Sequence, residues 1–532
     1  MTLRLRVDVD SVLKLLAFLL SSALFAFSVW YVWTAFSVPV ELEIREGTVW
    51  LHALAKRAGV DIYDSNQVAF VNMSHGPMES ILKGWLATIA PALPGCMVTR
   101  CFVVLLPFFL LGSAYVIGRK NLTVALLAAA ALHLFLANFT IMLVVGRSDA
   151  TVLCGLALCG ALAHGLLVDR HREWFNWRYV ALQIVLGSSS AVVFLTSWRI
   201  VPTIATIHLV VLSKQLAESS RRFRSLLHST VLAVAGFALV WVPTFLWELH
   251  GDRHAYYKRF FGFYSRASGW GAFAGPEFRL FPGEIMQFGQ GPLLLLAALL
   301  VAALFRLRRE RAQFIAWSLL LPIGWGAYAY GYFRNQGGGG VYYFCPFFFS
   351  AWLLILHALR RQSVSRPWVQ LASAGLIAYL LPWRGLLDQR QQLADIRSQA
   401  QTFLKDVAKR TGGRPVFGED THLFKREYRD EIVDTGDTVN AIASSGYYGT
   451  DFTRKYQSYA MTLVAAPPQF IIEDMLDLQN RHGTTTPQLA DLLRNRYAVA
   501  IQGPANLVAN VAVRSRGNSP AGTIALFERI AE

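Results

Sequence analysis

The sequence has few cysteines and few charged residues. Five cysteines occur in 532 residues, and none belongs to a CxxC pair or to a Cys/His cluster with zinc spacing, which argues against a structural zinc site. Charged residues make up only 16% of the chain, whereas apolar residues make up 54%. Soluble globular domains carry about 25% charged residues. This balance predicts a polytopic membrane protein and not a soluble enzyme.

A nucleotide-binding loop is also missing. The glycine-rich stretches "GQGPLLLL" and "GGGG" (337–340) lack the lysine and the strand–turn–helix context that a phosphate loop requires. The first apolar run lacks a clear small-residue cleavage site, so we expect a membrane anchor and not a cleaved signal peptide. We therefore expect a membrane-anchored chain without a phosphate-binding loop of the nucleotide-binding type.

Eleven apolar runs match or approach the length that a membrane-spanning helix needs, about 17–25 residues. One of them, at 200–213, is short and depends on Pro202 opening a new helix. The runs lie at about 12–36, 100–118, 122–145, 150–168, 179–198, 200–213, 227–248, 291–306, 313–332, 340–359 and 368–383. We therefore predict an α-helical transmembrane domain over residues 1–384.

Basic residues fall in alternate gaps between these runs. The whole net charge of +16 belongs to residues 1–384, because residues 385–532 carry 17 basic and 17 acidic side chains. The positive-inside rule places the basic gaps in the cytoplasm, which explains them better than nucleic-acid binding does. The clusters are Arg4 and Arg6; Arg119 and Lys120; Arg170, Arg172 and Arg178; Lys214, Arg221, Arg222 and Arg224; Arg306, Arg308, Arg309 and Arg311; and Arg360, Arg361 and Arg366. Eleven spans then leave the C-terminal tail on the outer side.

Two predicted outer loops are long. The first, at about 37–99, contains several acids and the amphipathic stretch "MESILKGWLATIA". The fourth, at about 249–290, mixes aromatic, basic and glycine residues, so it can lie against lipid headgroups and still move. An alternative is that this loop only anchors the chain at the interface.

The tail, residues 385–532, is predicted to be a soluble α/β domain. A helical stretch near 387–410 is followed by the strand-like "RPVFGED", and a second helix is expected near 484–494. With eleven spans this domain lies outside the cytoplasm.

Three carboxylates, Glu41, Glu43 and Glu46, follow the first apolar run. Mutual repulsion and partial burial raise the proton affinity of at least one of them. Such a group can act as a general base or hold a cation. The simpler alternative is that Glu46 is an acid in the first turn of a helix, where the exposed N–H groups favour negative charge.

The second candidate acid is Asp149, in "RSDA" between the third and fourth apolar runs. It either serves a site on the outer face or caps the helix that follows. Arg199, Arg334 and, more weakly, Lys258 are basic residues on the predicted outer side that could bind an anion such as phosphate. The alternative for these cations is contact with lipid headgroups. His75 could contact phosphate or a metal, but a lone loop histidine usually does neither.

The order of these features resembles the GT-C superfamily of integral membrane glycosyltransferases. The chain looks like the polyprenyl-phosphate-sugar-dependent branch, which includes protein mannosyltransferases and lipid A aminoarabinose transferases. The resemblance is carried by "REGTVWLHALAKRAGVDIYD", "HGPMESILKGWL", "RSDA" and "GGGGVYYFCPFFFSAWLLI", and the tail segments "PVFGED" and "PQLADLLRNRYAVAIQG" agree with it.

The resemblance implies roles for several residues. Glu46 corresponds to the first-loop acid, the expected catalytic base, and Asp149 to the acid of the second outer loop. Glu41, Glu43, His75 and Tyr63 are expected to support the acceptor side. Many members have an Asp-Glu pair where this chain reads Arg45-Glu46, which leaves open whether Glu46 acts alone. Metal use varies within the family, so a divalent metal stays an open expectation.

The implied reaction is an inverting transfer from a polyprenyl-phosphate sugar to a hydroxyl of a lipid, glycan or protein. Arg199, with Arg334 or Lys258, would stabilise the departing phosphate. The expected setting is the bacterial inner membrane, with the active site and tail on the outer side and no nucleic-acid partner.

Three rival interpretations remain. A transporter or flippase would carry ionisable residues at mid-membrane and paired repeats, yet only His133, His164 and His208 lie within apolar runs and no clear repeat is seen. A polysaccharide ligase or polymerase would place its dominant outer loop late in the chain. A non-catalytic scaffold of the same fold is the third.

Overall fold

The structure is a computed structural model and is mostly helical. It describes residues 8–40, 42, 46–63, 76–139, 143–168, 176–218, 222–248, 290–334, 344–359, 366–418, 461, 463–474, 487–505 and 523–530. The helices, numbered among these residues, are α1 (Val9–Phe36), α2 (Glu46–Arg57), α3 (Pro77–Ile89), α4 (Gly95–Thr99), α5 (Cys101–Ile117), α6 (Leu122–Phe139), α7 (Ser148–Val168), α8 (Trp177–Thr196), α9 (Val201–Glu218), α10 (Arg222–Glu248), α11 (Gln290–Leu307), α12 (Arg311–Arg334), α13 (Cys345–Leu359), α14 (Pro367–Leu380), α15 (Trp383–Thr411) and α16 (Pro487–Arg496). The strands are β1 (Val416–Gly418), β2 (Phe470–Asp474), β3 (Tyr497–Ala505) and β4 (Thr523–Arg529).

Each of the eleven predicted apolar runs coincides with a helix, from α1 and then from α5 to α14. Six segments of the described residues are long and apolar enough to cross a membrane: Val9–Phe36, Gly95–Ile117, Ser148–Val168, Trp177–Thr196, Trp198–Ala217 and Arg224–Trp247. These segments indicate an integral membrane protein. The count of eleven spans stays a prediction, because several of the remaining apolar helices are shorter.

Small residues let two of the spans pack closely. A Cβ on Gly187 of α8 would lie 2.1 Å from the carbonyl oxygen of Ala233, and a Cβ on Gly236 of α10 would lie 2.1 Å from that of Ile184. Glycine therefore allows the two backbones to touch, as is common between membrane helices. Ser188 adds an interhelical hydrogen bond by donating to the Gly236 carbonyl at 2.9 Å.

The histidines within the apolar runs connect helices. The contacts are Ser28 Oγ with His133 Nδ1 at 2.7 Å, Ser190 Oγ with His208 Nε2 at 2.9 Å, and His164 Nδ1 with His357 Nδ1 at 3.4 Å. Polar side chains of this kind commonly bond across membrane helices. These contacts explain the three histidines as residues that join helices, so their presence in apolar runs does not require a transport pathway.

The described residues of the tail form a four-stranded sheet in the order β1-β2-β4-β3, in which β1 and β2 are parallel and the other two pairs are antiparallel. Successive strand residues face opposite sides of a sheet, and both sides are covered. Phe403 of α15 packs against Phe470 and Ile472, whereas Ile471 packs with Leu492 of α16. The predicted mixture of helix and strand is thus present, while the division into domains at residues 384 and 385 stays a prediction.

The tail helix α15 is attached to the end of α1. The hydroxyl of Tyr31 donates to Gln389 Oε1 at 2.7 Å, and the guanidinium of Arg390 lies 3.3 Å from the ring centroid of Trp30. These contacts place the start of α15 at the end of the bundle where α1 finishes. We call this the site end of the bundle.

Candidate active site

Four chain segments that are far apart in sequence meet at the site end. They are the turn before α7, the short 3-10 turn Trp198–Ile200 between α8 and α9, the last third of α12 and the first turn of α13. The predicted alternation of helix direction places all four at one end of the bundle, and the structure brings them into contact. They enclose a cavity of about 30 Å³, which has room for about one water molecule.

The cavity has two basic side chains and one acidic side chain in its wall. Arg147, Asp149 and Arg199 line it, together with Ser197 and Tyr328. The described charged residues of the wall therefore have a net charge of +1. Guanidinium groups bind phosphate with directional, charge-assisted hydrogen bonds. The two guanidinium groups suit the wall to an anionic ligand, and the carboxylate of Asp149 lies beside them.

Asp149 lies in the first turn of α7 and is about 20% exposed. Its Oδ2 lies 3.7 Å from Arg147 Nε, and this buried oxygen accepts no hydrogen bond within the described part of the chain. Buried polar atoms are normally satisfied, and one that is not often marks a functional position. A carboxylate oxygen with an unused lone pair meets the first requirement of a general base.

The opposite wall is held by a buried polar contact. The hydroxyls of Tyr328 and Thr203 are 2.8 Å apart, and Thr203 donates to the Pro346 carbonyl at 3.1 Å. These bonds join α9, α12 and α13 at the cavity. Tyr328 was not among the predicted site residues, because an aromatic residue in an apolar run has no sequence signal that separates it from the core.

Glu46 begins α2, as predicted, but its surroundings differ from those of Asp149. The residue is fully buried and its carboxylate accepts four hydrogen bonds. Arg100 Nε donates to Oε1 at 2.8 Å and its Nη2 donates to Oε2 at 2.5 Å, while the backbone N–H of Leu42 donates to Oε2 at 2.7 Å and that of Gly146 to Oε1 at 2.5 Å. A carboxylate bonded in this way has little capacity left for a substrate proton. The contacts argue against Glu46 as the base and favour a structural role.

Arg100 is fully buried as well, although it precedes α5 at the site end. Besides Glu46, its guanidinium donates to the carbonyls of Ala35 at 3.2 Å, Val38 at 2.5 Å and Val40 at 2.6 Å. Arg100 therefore joins the end of α1 to the starts of α2 and α5. A sequence signal existed, since an arginine at the predicted outer end of a span departs from the positive-inside rule and calls for a partner.

A second buried ion pair lies on α3. Lys83 contacts Glu79, and neither side chain is more than 2% exposed. Lys83 Nζ also donates to the carbonyl of Gly146 at 2.7 Å. The spacing of four residues is a helical ion-pair pattern visible in the sequence, but the contact with Gly146 joins residues 63 positions apart.

Most of the remaining predicted site residues cannot be placed. Arg334 ends α12, but its side chain is not among those that the structure describes. Tyr63 is fully buried and packs with Ala55 and Ile62, with Trp198 next to them. Its acceptor-side role stays a prediction. Outside the described residues are Glu41, Glu43, Arg45, His75 and Lys258, and with them residues 249–289 of the fourth outer loop.

An apolar groove of about 670 Å³ runs beside the cavity between α6, α11, α13 and α14. Its wall extends along α6 from Thr123 to Phe135, a length of about 18 Å at 1.5 Å per residue. Phe348 of α13 lines the groove, and Pro346, two residues earlier, lines the cavity. Residues two apart point to different faces of a helix, so the groove and the cavity flank the same helical turn.

No group of three or more His, Cys, Asp or Glu side chains that could hold a metal ion occurs within the described ranges. The sequence left metal use open, and the described residues add no candidate site.

Comparison with solved structures identifies the fold. ArnT from Cupriavidus metallidurans bound to undecaprenyl phosphate matches with a TM-score of 0.53 and 13% identity, over 96% of this chain and 97% of that one. Its apo state matches with a TM-score of 0.52 and 14% identity, over 95% and 97%. A weaker likeness, with a TM-score of 0.45 and 12% identity over 98% and 88%, is to the oligosaccharyltransferase AglB from Archaeoglobus fulgidus in complex with an inhibitory peptide and a dolichol-phosphate. No family model matches the chain, and no curated protein sequence does.

The chain therefore shares the fold of ArnT, and its long apolar helices indicate an integral membrane protein. The likeness to ArnT extends over almost the full length of both chains, and it confirms at the level of the fold the GT-C resemblance seen in the sequence.

Proposed function

We propose that this protein is an inverting glycosyltransferase that moves a sugar from a polyprenyl-phosphate donor to a hydroxyl acceptor at the outer face of the membrane. The observation that carries the proposal is the cavity with Arg147, Arg199 and Asp149 in its wall, next to an apolar groove. A polyprenyl-phosphate sugar needs an apolar path for its tail, cations for its phosphate and a base for the acceptor. The ArnT fold, in a protein whose structure holds undecaprenyl phosphate, supports the same choice.

In this proposal the cavity widens to admit the donor phosphate, which binds to Arg147 and Arg199, and the polyprenyl tail follows the groove along α6. Arg334 and Lys258 are further candidates for the phosphate, since both belong to segments on the predicted outer side. The cations act mainly on the departing phosphate, where negative charge grows in the transition state. Residues 249–290 would close over the bound donor and exclude water.

The transfer is a single displacement. The acceptor oxygen attacks the anomeric carbon from the side opposite the phosphate and forms the new glycosidic bond. The bond between that carbon and the phosphate oxygen breaks, and polyprenyl phosphate leaves with the electron pair. Asp149 Oδ2 takes the hydroxyl proton. The configuration at the anomeric carbon is inverted because attack and departure occur on opposite faces.

Asp149 is preferred to Glu46 as the base because of the hydrogen bonds of the two carboxylates. Glu46 accepts four within the protein, whereas Asp149 Oδ2 accepts none within the described residues. Glu41, Glu43 and His75 stay candidates for binding the acceptor.

The proposed setting follows from the charge pattern. Basic gaps face the cytoplasm, so the cavity and the C-terminal domain lie on the periplasmic or extracellular side of what we propose is a bacterial inner membrane. The partners are the lipid-linked donor, a lipid, glycan or protein acceptor, and membrane lipids. A divalent metal enters no step of the proposal, and a chelator tests that directly.

The test is transfer by purified protein from a panel of polyprenyl-phosphate sugars, with and without a chelator. Asp149→Asn should lose transfer by about 100-fold or more, whereas Asp395→Asn on the exposed face of α15 should keep it. Product stereochemistry read by NMR checks inversion. Full transfer by Asp149→Asn would refute the base assignment, and a requirement for a nucleotide sugar as the direct donor would refute the lipid-donor proposal.

A further inference from the structure

We propose that two buried ion pairs, Glu46 with Arg100 and Glu79 with Lys83, grip both backbone groups of Gly146 and thereby position Arg147 and Asp149 in the cavity. We call the four side chains the Gly146 clamp. The inference deepens the proposed function, and it rests on that function only for the meaning of the cavity.

The clamp holds Gly146 from two sides. Glu46 Oε1 accepts from the Gly146 N–H at 2.5 Å, and Lys83 Nζ donates to the Gly146 carbonyl at 2.7 Å. The N–H belongs to the peptide unit before Gly146 and the carbonyl to the unit after it. Both peptide planes are therefore fixed, and so are the two backbone dihedrals that set the direction of the following residues.

Close packing against Thr99 also restricts residue 146. A Cβ on residue 146 would lie 2.8 Å from the Cβ and the Oγ1 of Thr99. Thr99 cannot easily retreat, because its hydroxyl donates to the Cys96 carbonyl at 2.8 Å. Glycine is the residue that allows this approach.

The chain leads directly from the clamp into the cavity. Gly146 is followed by Arg147, Ser148 and Asp149, which all line the cavity, whereas none of the four clamp side chains does. The clamp side chains are at most 2% exposed. They act on the cavity through the backbone of Gly146 and are therefore positioning residues.

The four charged side chains of the clamp are not explained by stability alone. Buried ion pairs are often replaceable by apolar side chains at little cost in stability, because desolvation offsets their attraction. They do impose a specific geometry through directional bonds. A displacement of about 1 Å in a reacting group can lower a rate by about 100-fold, so fixing the turn before α7 has a functional consequence that packing alone would not supply.

The main test removes the second ion pair as a unit with Lys83→Met plus Glu79→Leu, which leaves no unpaired buried charge. The matched control is Lys214→Met. Lys214 is also a buried lysine, and it donates to the Leu167 carbonyl near the opposite end of α7. The two lysines thus bind backbone carbonyls at the two ends of one helix.

Two measurements distinguish a failure of the Gly146 clamp from a failure of the proposed function. The first is the rate at which a thiosulfonate reagent modifies the thiol introduced by Ser148→Cys, corrected for the native cysteines. The second is binding of undecaprenyl phosphate without sugar. The double variant should speed modification by about fivefold or more and weaken binding by about tenfold, while Lys214→Met should change neither by more than about twofold.

Each outcome decides a different point. Unchanged modification in the double variant would overturn the clamp. Faster modification with no undecaprenyl phosphate binding by the wild type would keep the clamp and refute the proposed function. If the double variant fails to fold, Gly146→Ala provides a second test, because it keeps both ion pairs and presses the turn against Thr99. This variant should show the same increase in the rate of thiol modification. An unchanged rate would equally refute the clamp.

Discussion

Glu46→Gln distinguishes a positioning carboxylate from a catalytic base. If Glu46 were the base, this nearly isosteric change would abolish transfer and leave the fold intact. If Glu46 is held as the structure indicates, the same change should destabilise the protein. The expected loss is about 3–5 kcal/mol of the free energy of unfolding, the cost of leaving one partner of a buried ion pair alone.

Counting the hydrogen bonds of Glu46 gives a similar loss in the free energy of unfolding. Each of its carboxylate oxygens accepts one bond from Arg100 and one from a backbone N–H, of Gly146 at Oε1 and of Leu42 at Oε2. A glutamine has one acceptor oxygen, so in either amide orientation its NH2 group faces two donors. An orphaned buried donor costs about 1–3 kcal/mol. Two of them amount to about 2–6 kcal/mol, which includes the range expected for the broken ion pair.

The measurement is unfolding by SDS titration in mixed micelles, followed by fluorescence of the 15 tryptophans. Asp149→Asn is the comparator, because Asp149 is partly exposed and its ion pair with Arg147 is 3.7 Å long; the variant should stay within about 1 kcal/mol of the wild type. Glu46→Leu combined with Arg100→Leu should recover most of the stability. A stable but inactive Glu46→Gln protein would refute this reasoning and restore Glu46 as the base.

Three further predictions test other parts of the structure. Arg199→Gln should weaken undecaprenyl phosphate binding by roughly 10- to 100-fold, the value of one or two charge-assisted hydrogen bonds, and an unchanged dissociation constant would remove Arg199 from the phosphate site. Gly187→Ala should destabilise the bundle by about 1–3 kcal/mol in the same SDS titration, because its Cβ would lie 2.1 Å from the Ala233 carbonyl oxygen, whereas Gly324→Ala, with open space around it, should not. Phe403→Ala should loosen the tail sheet by about 3–5 kcal/mol, since Phe403 is a buried contact between α15 and the strands; limited proteolysis that finds the tail as resistant as in the wild type would contradict this.

Helix positions were predictable because they depend on local composition. A run of about 20 apolar residues is a property of one stretch of chain, and every predicted run coincides with a helix in the structure. The boundaries were less accurate. The short run at 200–213 continues to Glu218, because its polar last turns do not register as apolar sequence.

The tail followed the same rule. The helical stretch predicted near 387–410 is Trp383–Thr411 in the structure, and it ends at Gly412, which has a positive φ of 58°. A glycine in this conformation is a common helix C-cap. The strand order β1-β2-β4-β3 was not predictable, since pairing depends on which distant segments meet.

The roles of the two acids show the limit of local sequence most clearly. Glu46 and Asp149 both stand at the start of a helix at the predicted outer face, and sequence alone offered the same two explanations for each. The partner that separates them, Arg100, lies 54 residues from Glu46. No local pattern connects residues at that distance.

The sequence by itself indicated a helical membrane protein whose tail mixes helix and strand, because hydrophobic length and residue pattern are local properties. The alternating helix directions and the long acidic first outer loop stay predictions from its charge asymmetry. Only the tertiary structure decided that Glu46 accepts four hydrogen bonds, whereas Asp149 Oδ2 is buried and accepts none within the described residues. It also decided that Gly146, next to the cavity, is hydrogen-bonded by Glu46 and by Lys83, each a member of a buried ion pair. Hydrogen bonds and burial are properties of neighbours in space, and folding chooses those neighbours from segments far apart in the chain.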